Sequence, residues 1–424
     1  MTARNDADRT PGGVTEARGG TRSTLDPGGA RDRSRAPRRS RRVPLAWLNL
    51  TYQGRRSLAA FAAIAGAVVL MCVEYGFLNA VYDSHVALIE ELDADLFVTG
   101  SSAYSLTVSA PFSRRRLYQA LAVEAVEEAV PLYVQTRALE LLGPETRQRR
   151  TIRVLAFPPA QRAFASDEVE AHRATLAYPD TALLDRRSKR HLGRLAVGDI
   201  TEVAGQDVRI VGRFTLGTDF VNDGSLIMSD TNLMKLSQGA RGARTGLDRV
   251  DVGLLRLAPG ARARDVQQAL IAMLQDDVRV RTRAELIAHE LRYWRDSTIV
   301  GYVFGLAMLV AFVVGVVICY QILFTTVTDL LPQFATLRAM GQTDRYVVTV
   351  VFQQALWLSV VGFVAGVGGS LVVYSLVGWI TGLPMLLTVP RAALVFVLSV
   401  GMSVTAGVIA ARKALSTDPA DVFG

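Results

Sequence analysis

The chain has 424 residues, of which half are hydrophobic and 20% are charged, and its mean hydropathy is positive. This composition excludes a disordered or collagen-like chain and disfavours an ordinary soluble enzyme. The net charge of +8 is concentrated in residues 1–46, where eleven arginines accompany only five acidic residues. That stretch is rich in Gly, Pro, Ser and Thr and poor in apolar residues, so residues 1–43 are predicted to be a disordered leader and not a nucleic-acid-binding module.

Four stretches are long and apolar enough to cross a bilayer core of about 30 Å as helices. The predicted membrane-spanning helices cover residues 58–80, 299–323, 347–379 and 392–411. Residues 44–57, which precede the first span, are predicted to form an amphipathic pre-helix. The third span is longer than one perpendicular crossing requires, so it must tilt, break near residues 366–369 or project from the membrane.

The distribution of arginines predicts the orientation of these spans. Seven arginines lie in residues 35–56, directly before the first span, which predicts a cytoplasmic N-terminus. Four crossings return the C-terminal tail, residues 412–424, to the same side. Residues 81–297 are then extracytoplasmic, because domains longer than about 60 residues translocate largely regardless of their charge. The sequence therefore predicts a multi-pass protein of the cell inner membrane with both termini in the cytoplasm.

Residues 81–297 are predicted to fold as a large α+β domain. Short strand-like runs bounded by Gly, Pro and Asp alternate with helical patterns over residues 113–129 and 261–274. Residues 83–92 and 283–297 are polar enough to be stalk helices that join this domain to the spans. The fold class is thus an integral membrane α-helical protein with four transmembrane helices and an α+β extracytoplasmic domain between the first and second.

The sequence lacks the common catalytic signatures. A P-loop needs a Gly-Lys-Ser/Thr ending, and the chain has only Lys189, Lys235 and Lys413, none of which follows a glycine. There is no His-Glu-x-x-His zinc motif and no Gly-x-Ser-x-Gly nucleophile elbow. We therefore predict a protein that is not an enzyme, with no catalytic, cofactor or metal site, whose energy from ATP and Mg²⁺ would come through a separate ATPase chain.

Polar and small residues within the spans form two further groups of candidates. The polar ones either line a seam between helices or make hydrogen bonds to neighbouring helices and the interface. The small ones recur at a spacing of four, which allows close helix packing within the chain or across a dimer seam. The polar residues are Glu74, Gln321, Gln353 and Gln354, and the small residues are Gly301, Gly305, Gly362, Gly366 and Ser370.

The loop between the second and third spans is the most distinctive local feature. Pro332 suits the first turn of a short helix and Gly341 its C-terminal stop. Between them an apolar ridge recurs every three residues, with an arginine beside it: Phe334, Leu337, Met340 and Arg338. Such a helix either docks in a groove on a soluble partner or lies on lipid headgroups, and the spacing does not distinguish the two.

The sequence around this loop resembles a known family. Residues 330–366, LLPQFATLRAMGQTDRYVVTVVFQQALWLSVVGFVAG, are similar to the FtsX/MacB-type permease domain of ABC transporters. Four other segments are more specifically similar to DevC permeases: PLAWLNLTYQGRR (44–56), EYGFLNAVYD (74–83), FSRRRLYQA (112–120) and DPADVF (418–423). The resemblance extends from residue 44 to the end and leaves out the Arg-rich leader.

The resemblance implies a non-catalytic permease that works as a homodimer in the lipid membrane. Its implied partners are a cytoplasmic ABC ATPase, a periplasmic membrane-fusion adaptor and, where the envelope has one, an outer-membrane channel. Permeases of this type export glycolipids or move substrates outward by mechanotransmission. On this analogy, residues 332–340 are the ATPase-coupling helix. The alternatives are an FtsX-like transmitter that regulates an external hydrolase or lipoprotein machine, and a stand-alone receptor, which the lack of a cytoplasmic signalling domain disfavours.

Overall fold

The protein is described from a computed structural model, which covers residues 54–136, 139–145, 147–239, 246–339, 344–383 and 385–415. Four long helices are apolar enough to cross a membrane. They are α1 (Gly54–Glu91), α7 (Ile299–Ala339), α8 (Asp344–Thr381) and α9 (Val389–Leu415). At 1.5 Å per residue, the first three reach about 60 Å, roughly twice the bilayer core. The leader and most of the predicted pre-helix lie outside the described residues.

The long helices pack as a bundle in which α1 contacts α7 and α8, and α9 contacts the same two helices. Small residues set the spacing between α1 and α8. A Cβ atom added to Gly362 would lie 2.5 Å from Cγ2 of Ile64, and one added to Gly366 would lie 2.6 Å from Cβ of Val68. Ser370, one turn further along, is fully buried and donates to the carbonyl of Gly366. These three predicted packing positions thus serve contacts within the chain.

The external domain lies between α1 and α7 and is built on a mixed sheet. Its helices are α2 (Arg115–Ala120), α3 (Asp167–His172), α4 (Asp230–Gly239), α5 (Ala263–Met273) and α6 (Arg283–Arg292). Its strands are β1 (Leu96–Gly100), β2 (Phe112–Ser113), β3 (Val126–Gln135), β4 (Glu140–Leu142), β5 (Arg149–Thr151), β6 (Arg153–Phe157), β7 (Thr181–Asp185), β8 (Ile200–Val203), β9 (Gln206–Phe214), β10 (Ser225–Ser229), β11 (Arg249–Val250), β12 (Val252–Leu257) and β13 (Val278–Thr282). The four spans and this mixed α/β domain confirm the predicted fold class.

Eleven of these strands form one sheet in the order β13-β1-β12-β3-β6-β10-β7-β9-β8-β4-β5. The pairs β6–β10 and β7–β9 are parallel and the others antiparallel. Both faces of the sheet are covered, since β1, β6, β7 and β10 are buried at every position. One face packs on α2, α4 and α5, and the other on α3, α6 and the outer end of α1. The core of the domain therefore includes a membrane helix.

Two sequence expectations differ from the structure, and for helix α8 one of three predicted alternatives, the break, is ruled out. Residues 113–129 form only the short helix α2, and strand β3 begins at Val126 because it pairs with β12 on one side and β6 on the other. Helix α8 continues without a break through residues 366–369. Helix α7 also continues to Ala339, so Pro332 lies inside a long helix and does not begin a short one. A proline that far inside a helix removes one backbone hydrogen bond without ending the helix here.

Two antiparallel helices connect the domain to the bundle. Helix α1 rises out of the bundle to Glu91, and α6 runs back beside it toward α7. The guanidinium of Arg283, the first residue of α6, donates to four carbonyls at the end of α1. Nη1 lies 2.6 and 3.1 Å from the oxygens of Ile89 and Glu90, and Nη2 lies 2.8 and 2.9 Å from those of Leu92 and Ala94. This Arg283 clamp neutralises the negative end of the α1 dipole.

We predict that Arg283→Ala destabilises the external domain by about 2 kcal/mol, because hydrogen bonds to a charged group contribute about 1.5–3 kcal/mol and this side chain is half-buried. Arg283→Lys should have a stability between those of wild type and Arg283→Ala, since an ammonium group cannot reach four carbonyls. Thermal unfolding of the full chain in detergent measures the effect. Arg279→Ala, on the exposed face of β13, is the matched control; an equal loss in both variants would contradict the clamp.

Candidate functional site

The external domain meets the membrane helices at a junction formed by three elements. They are the stalk made by α1 and α6, the loop between β9 and β10, and the loop between α8 and α9. Buried polar side chains and aromatic side chains lie at this boundary between the sheet and the bundle. Because these three elements carry the contacts between the sheet and the membrane helices, the junction is the candidate functional site.

The stalk carries a buried cluster of His85, Glu290 and Trp294. The His85 ring stacks on the Trp294 ring, with 3.9 Å between centroids and 15° between planes. Trp294 donates from Nε1 to Oε1 of Glu290 at 3.0 Å, and Nδ1 of His85 lies 4.0 Å from the same oxygen. Trp294 lies in a π-helical turn, Tyr293–Ser297, which joins α6 to α7. Such turns widen the helix by one residue and often mark functional positions.

Glu290 also ties the stalk to the sheet. Its Oε2 accepts from the backbone N–H of Leu106 at 2.9 Å, in the loop that follows β1. The side chain is fully buried, and burial raises the pKa of Glu290 to about 7, although the donors at Leu106 and Trp294 oppose the rise. A carboxyl group of this kind gains a proton near neutral pH, and among the described residues its two hydrogen-bond donors, Leu106 and Trp294, are both neutral.

The β9–β10 loop carries a buried ion pair. Nη1 of Arg153 lies 3.4 Å from Oδ2 of Asp219, and both side chains are almost fully inaccessible. The guanidinium also donates to Oγ of Ser225 and to the carbonyl of Gly217. Burial raises the pKa of Asp219, but Arg153 and the two amide donors of Asn222 outweigh it and hold the pKa below its ordinary value. The loop is therefore held in one conformation by charge-assisted hydrogen bonds.

Asp185 holds the other side of the same loop. Its two carboxylate oxygens accept from the backbone N–H groups of Leu216 at 3.2 Å and Gly217 at 2.7 Å. Burial raises the pKa of Asp185, against the effect of these donors. Further along the loop, the Phe220 ring lies 6.5 Å from Phe77 on α1. The loop thus joins a polar anchor in the sheet to an aromatic contact on the bundle.

The α8–α9 loop docks directly on the external domain. Gly382 has a φ of +72°, and an added Cβ would lie 2.9 Å from the carbonyl oxygen of Arg187 and 3.2 Å from Oγ1 of Thr218. Only glycine combines that backbone conformation with so close an approach. Near the end of α8, the guanidinium of Arg190 lies 3.7 Å from the ring centroid of Trp379.

A bidentate ion pair closes the junction on the bundle side. Arg391, near the start of α9, donates to both carboxylate oxygens of Asp83 on α1, at 2.6 and 2.7 Å. Local sequence patterns do not pair these two residues. The one sequence signal for the ion pair is an isolated arginine on a short outer loop, opposite an acidic residue just beyond the first span.

The structure separates the polar residues predicted inside the spans. Gln354 is buried, and neither of its amide atoms has a hydrogen-bond partner among the described residues. Gln321 and Gln353 are exposed on the outside of the bundle, and Glu74 is half-buried. The four do not form one cluster. Their role in a seam between helices stays a prediction.

The small residues of α7 also serve different contacts. Gly301 packs against the backbone carbonyl of Arg295 in the π-helical turn, whereas a Cβ at Gly305 would face open space. Gly305 is on the exposed side of α7. It is therefore available to a neighbour outside this chain.

The predicted ATPase-coupling residues lie beyond the junction, at the opposite end of α7. The backbone at Pro332, Phe334, Leu337 and Arg338 is helical, while Met340 and Gly341 lie outside the described residues. Their role stays a prediction. Among the residues that the structure describes, no group of three or more His, Cys, Asp or Glu side chains could hold a metal ion.

We predict that Glu290 makes the stability of the stalk depend on pH. The folded state keeps a proton on Glu290 that the unfolded chain releases, so the contribution of Glu290 to stability falls by about 3 kcal/mol as the pH rises from about 4.5 to about 7. Burial lowers the pKa of the neighbouring His85 to about 4, which adds a contribution that rises between about pH 4 and 6.5. The Glu290 contribution is therefore the difference between the unfolding profiles of wild type and Glu290→Gln on the full chain, whereas Glu124→Gln, at an exposed position, should keep the wild-type profile. A wild-type profile in the Glu290 variant would refute the assignment.

Comparisons with known proteins match both halves of the chain. The model of the MacB-like periplasmic core domain matches residues 57–273, just over half of the chain. The model of the FtsX-like permease C-terminal domain matches residues 300–419. No curated protein sequence matches the chain.

Three solved structures resemble the external domain. The periplasmic region of MacB from Actinobacillus actinomycetemcomitans is 10% identical, with a TM-score of 0.32, and the match covers 45% of this chain and 89% of that one. The extracellular domain of the noncanonic ABC-type transporter YknZ from Gram-positive bacteria is 11% identical, with a TM-score of 0.28, covering 45% and 100%. A domain of a putative permease protein from Porphyromonas gingivalis is 17% identical, with a TM-score of 0.29, covering 46% and 88%.

The two family models confirm the FtsX/MacB part of the resemblance found in the sequence, and the DevC subtype stays a prediction. The two family models together span the first long helix, most of the external domain and the three later helices. The chain belongs to the MacB/FtsX-like family of ABC transporter permeases.

Proposed function

We propose that this chain is the non-catalytic permease subunit of an ATP-driven exporter of the DevC type, which transmits movement from a cytoplasmic ATPase to its external domain. The observation that carries the proposal is the continuity of α7, a single helix of 41 residues that begins at the junction and ends on the opposite side of the bundle. An unbroken helix transmits a displacement along its length better than two segments joined by a loop.

Two features of the junction support this mechanism. Helix α1 belongs both to the bundle core and to the core of the external domain, so a rigid shift of α1 reaches the sheet directly. The π-helical turn between α6 and α7 offers a position where the stalk can bend. ATP binding would then favour one arrangement of the two parts over another, as a population shift.

In this proposal ATP and Mg²⁺ bind only to the partner ATPase, and this chain holds no cofactor. Residues 332–340 form the surface for the ATPase, and both termini lie in the cytoplasm beneath the inner membrane. A periplasmic adaptor and, where present, an outer-membrane channel continue the path outward. Lipid or glycolipid is the proposed cargo, on the analogy with DevC permeases.

A second copy of the chain completes the permease. Among the four long helices, α7 is the least buried within the chain. Its outer side exposes a row of apolar residues, including Tyr302, Leu306, Leu309 and Val313, with Gly305 among them. Small and apolar residues on one side of a helix favour close packing of a second helix in a membrane. These observations support a homodimer through α7.

The FtsX-like transmitter, which would regulate an external hydrolase, is less well supported. The external domain matches the MacB-like core, and the match covers almost the whole of that domain. The exporter and the transmitter share the same mechanics, so their partners distinguish them. The exporter requires an adaptor and a cargo path, whereas the transmitter requires only a hydrolase.

We predict that the double variant Phe334→Asp, Leu337→Asp loses its ATPase partner. Charged side chains in an apolar docking ridge cost several kcal/mol, which removes the complex on purification. The tagged full chain is extracted in mild detergent, and co-purifying proteins are identified by mass spectrometry. Thr328→Asp, which adds a charge to the same helix beside Asp329, is the control.

Wild-type chain should recover a P-loop ATPase and a periplasmic adaptor in stoichiometric amounts. A hydrolase in place of the adaptor would favour the transmitter, and the absence of any ATPase would refute both. An ATPase that stays with the double variant would refute only the docking role of residues 332–340.

We predict that Gly382→Ala uncouples the external domain without loss of the ATPase. Forcing a Cβ into this left-handed, tightly packed position costs about 1–3 kcal/mol, which weakens docking of the loop by about tenfold or more. Hydrogen exchange of residues 215–224 is measured in the complex, with and without a non-hydrolysable ATP analogue. The nucleotide-dependent change should be strongly reduced in Gly382→Ala but intact in Gly368→Ala, where a Cβ meets nothing within 4 Å. Equal responses in both variants would refute transmission through this loop.

A further inference from the structure

A basic segment of the external domain lies against the end of membrane helix α8. Residues 185–194, DRRSKRHLGR, contain five Arg and Lys residues and one acid, Asp185. Asp185 is buried, and its carboxylate is used by backbone N–H groups. The segment therefore presents a strong positive charge.

The backbone of this basic segment is held in place. The N–H of Arg186 donates to the carbonyl of Phe214, and that of Lys189 to the carbonyl of Asp223, both at 2.8 Å. The carboxylate of Asp223 accepts from Nζ of Lys189 at 3.1 Å and lies 3.0 Å from Nε2 of His191. Arg186 forms an ion pair with Glu168. Three side chains of the segment, those of Arg186, Lys189 and His191, thus have acidic partners inside the domain.

Arg187 and Arg190 differ from these three. Both are exposed, and among the described residues no carboxylate lies within ion-pair distance of either. Arg190 stacks on Trp379, with 3.7 Å from its guanidinium carbon to the ring centroid. Stacking occupies the face of the guanidinium but leaves its N–H donors free in the plane, where they can bind a phosphate in bidentate fashion.

The level of these arginines relative to the membrane follows from α8 and α9. Trp379 is two residues from the end of α8 and is 59% exposed. Ile380, Leu386 and Val389 around it are also exposed apolar side chains, at 52%, 59% and 84%. Aromatic residues at the ends of membrane helices lie at the headgroup level. The contact of Gly382 with the carbonyl of Arg187 holds the basic segment at that same level.

We propose that Arg187, Arg190 and Trp379 form a binding site for the phosphate group of an anionic phospholipid in the leaflet on the side of the external domain. The guanidinium groups bind the phosphate, and the acyl chains lie along the exposed apolar residues at the ends of α8 and α9. A bound lipid then bridges the external domain and α8 beside the Gly382 contact. The inference is independent of the proposed transport function and of the identity of the cargo.

The test uses the full chain in nanodiscs of phosphatidylcholine that contain phosphatidylglycerol with brominated acyl chains. Bromine quenches nearby tryptophan, and the difference between wild type and Trp379→Phe isolates the signal of Trp379. Brominated phosphatidylglycerol should quench Trp379 at lower mole fraction than brominated phosphatidylcholine. Phosphatidylcholine carries the same phosphate, but its choline ammonium cancels the charge, so the preference reflects net charge. Two arginines that contribute about 1 kcal/mol each toward an anionic lipid correspond to a preference of about 30-fold.

The double variant Arg187→Gln, Arg190→Gln should lose this preference. The matched control is Arg262→Gln, Arg264→Gln, which removes the same charge from exposed positions at the start of α5, a helix that packs on β13. Equal quenching by both lipids in the wild type would overturn the proposal without any need for a variant. An equal loss in the control pair would overturn it as non-specific charge, and displacement of the lipid by excess inorganic phosphate would reassign the site to a free anion.

Discussion

The attachment of the external domain to the bundle depends on how helix α1 ends. Its last carbonyls have no partners within the helix, and Arg283 satisfies four of the acceptors around that end from the first residue of α6. One guanidinium thus sets where α1 stops, where β1 begins and how α6 returns toward the membrane. Because α1 is part of both cores, the orientation of the whole sheet on the bundle follows from this contact.

The junction below the clamp combines two kinds of buried polar group. Arg153 and Asp219 compensate each other's charge, and Ser225, Gly217 and Asn222 satisfy their other hydrogen-bonding groups. Such a network resists rearrangement, since breaking it leaves a buried charge unpaired. The two hydrogen-bond donors of Glu290, Leu106 and Trp294, are neutral, and burial raises its pKa to about 7. The contact that resists rearrangement is therefore the Arg153–Asp219 pair at the β9–β10 loop. The contact that can change its protonation state is Glu290, in the stalk beside the π-helical turn.

The bundle likewise combines closely packed helices with one helix that has a large exposed side. Glycines hold α8 closely against α1, and Asp83 and Arg391 join α1 to α9. Helix α7 has a wide exposed apolar side and continues to Ala339 beyond the bilayer thickness. The least buried of the four long helices is thus the one that runs from the junction to the opposite side of the bundle. This arrangement suits an element that moves against a fixed frame and a second subunit.

The membrane spans, the mixed external domain and the family resemblance could be predicted from the sequence, because hydropathy over 20 residues and short motifs are local properties. Residues 126–129 could not, since the helical pattern predicted over residues 113–129 continues through them and only the pairing of β3 with β12 decides for a strand. Local spacing predicts a short helix over residues 332–340, and the continuity of α7 through Pro332 is not visible in that spacing. The Arg283 clamp, the Arg153–Asp219 pair and the Gly382 contact join residues far apart in the chain. Only the tertiary structure brings them together, because sequence patterns specify which face of an element is buried but not what it is buried against.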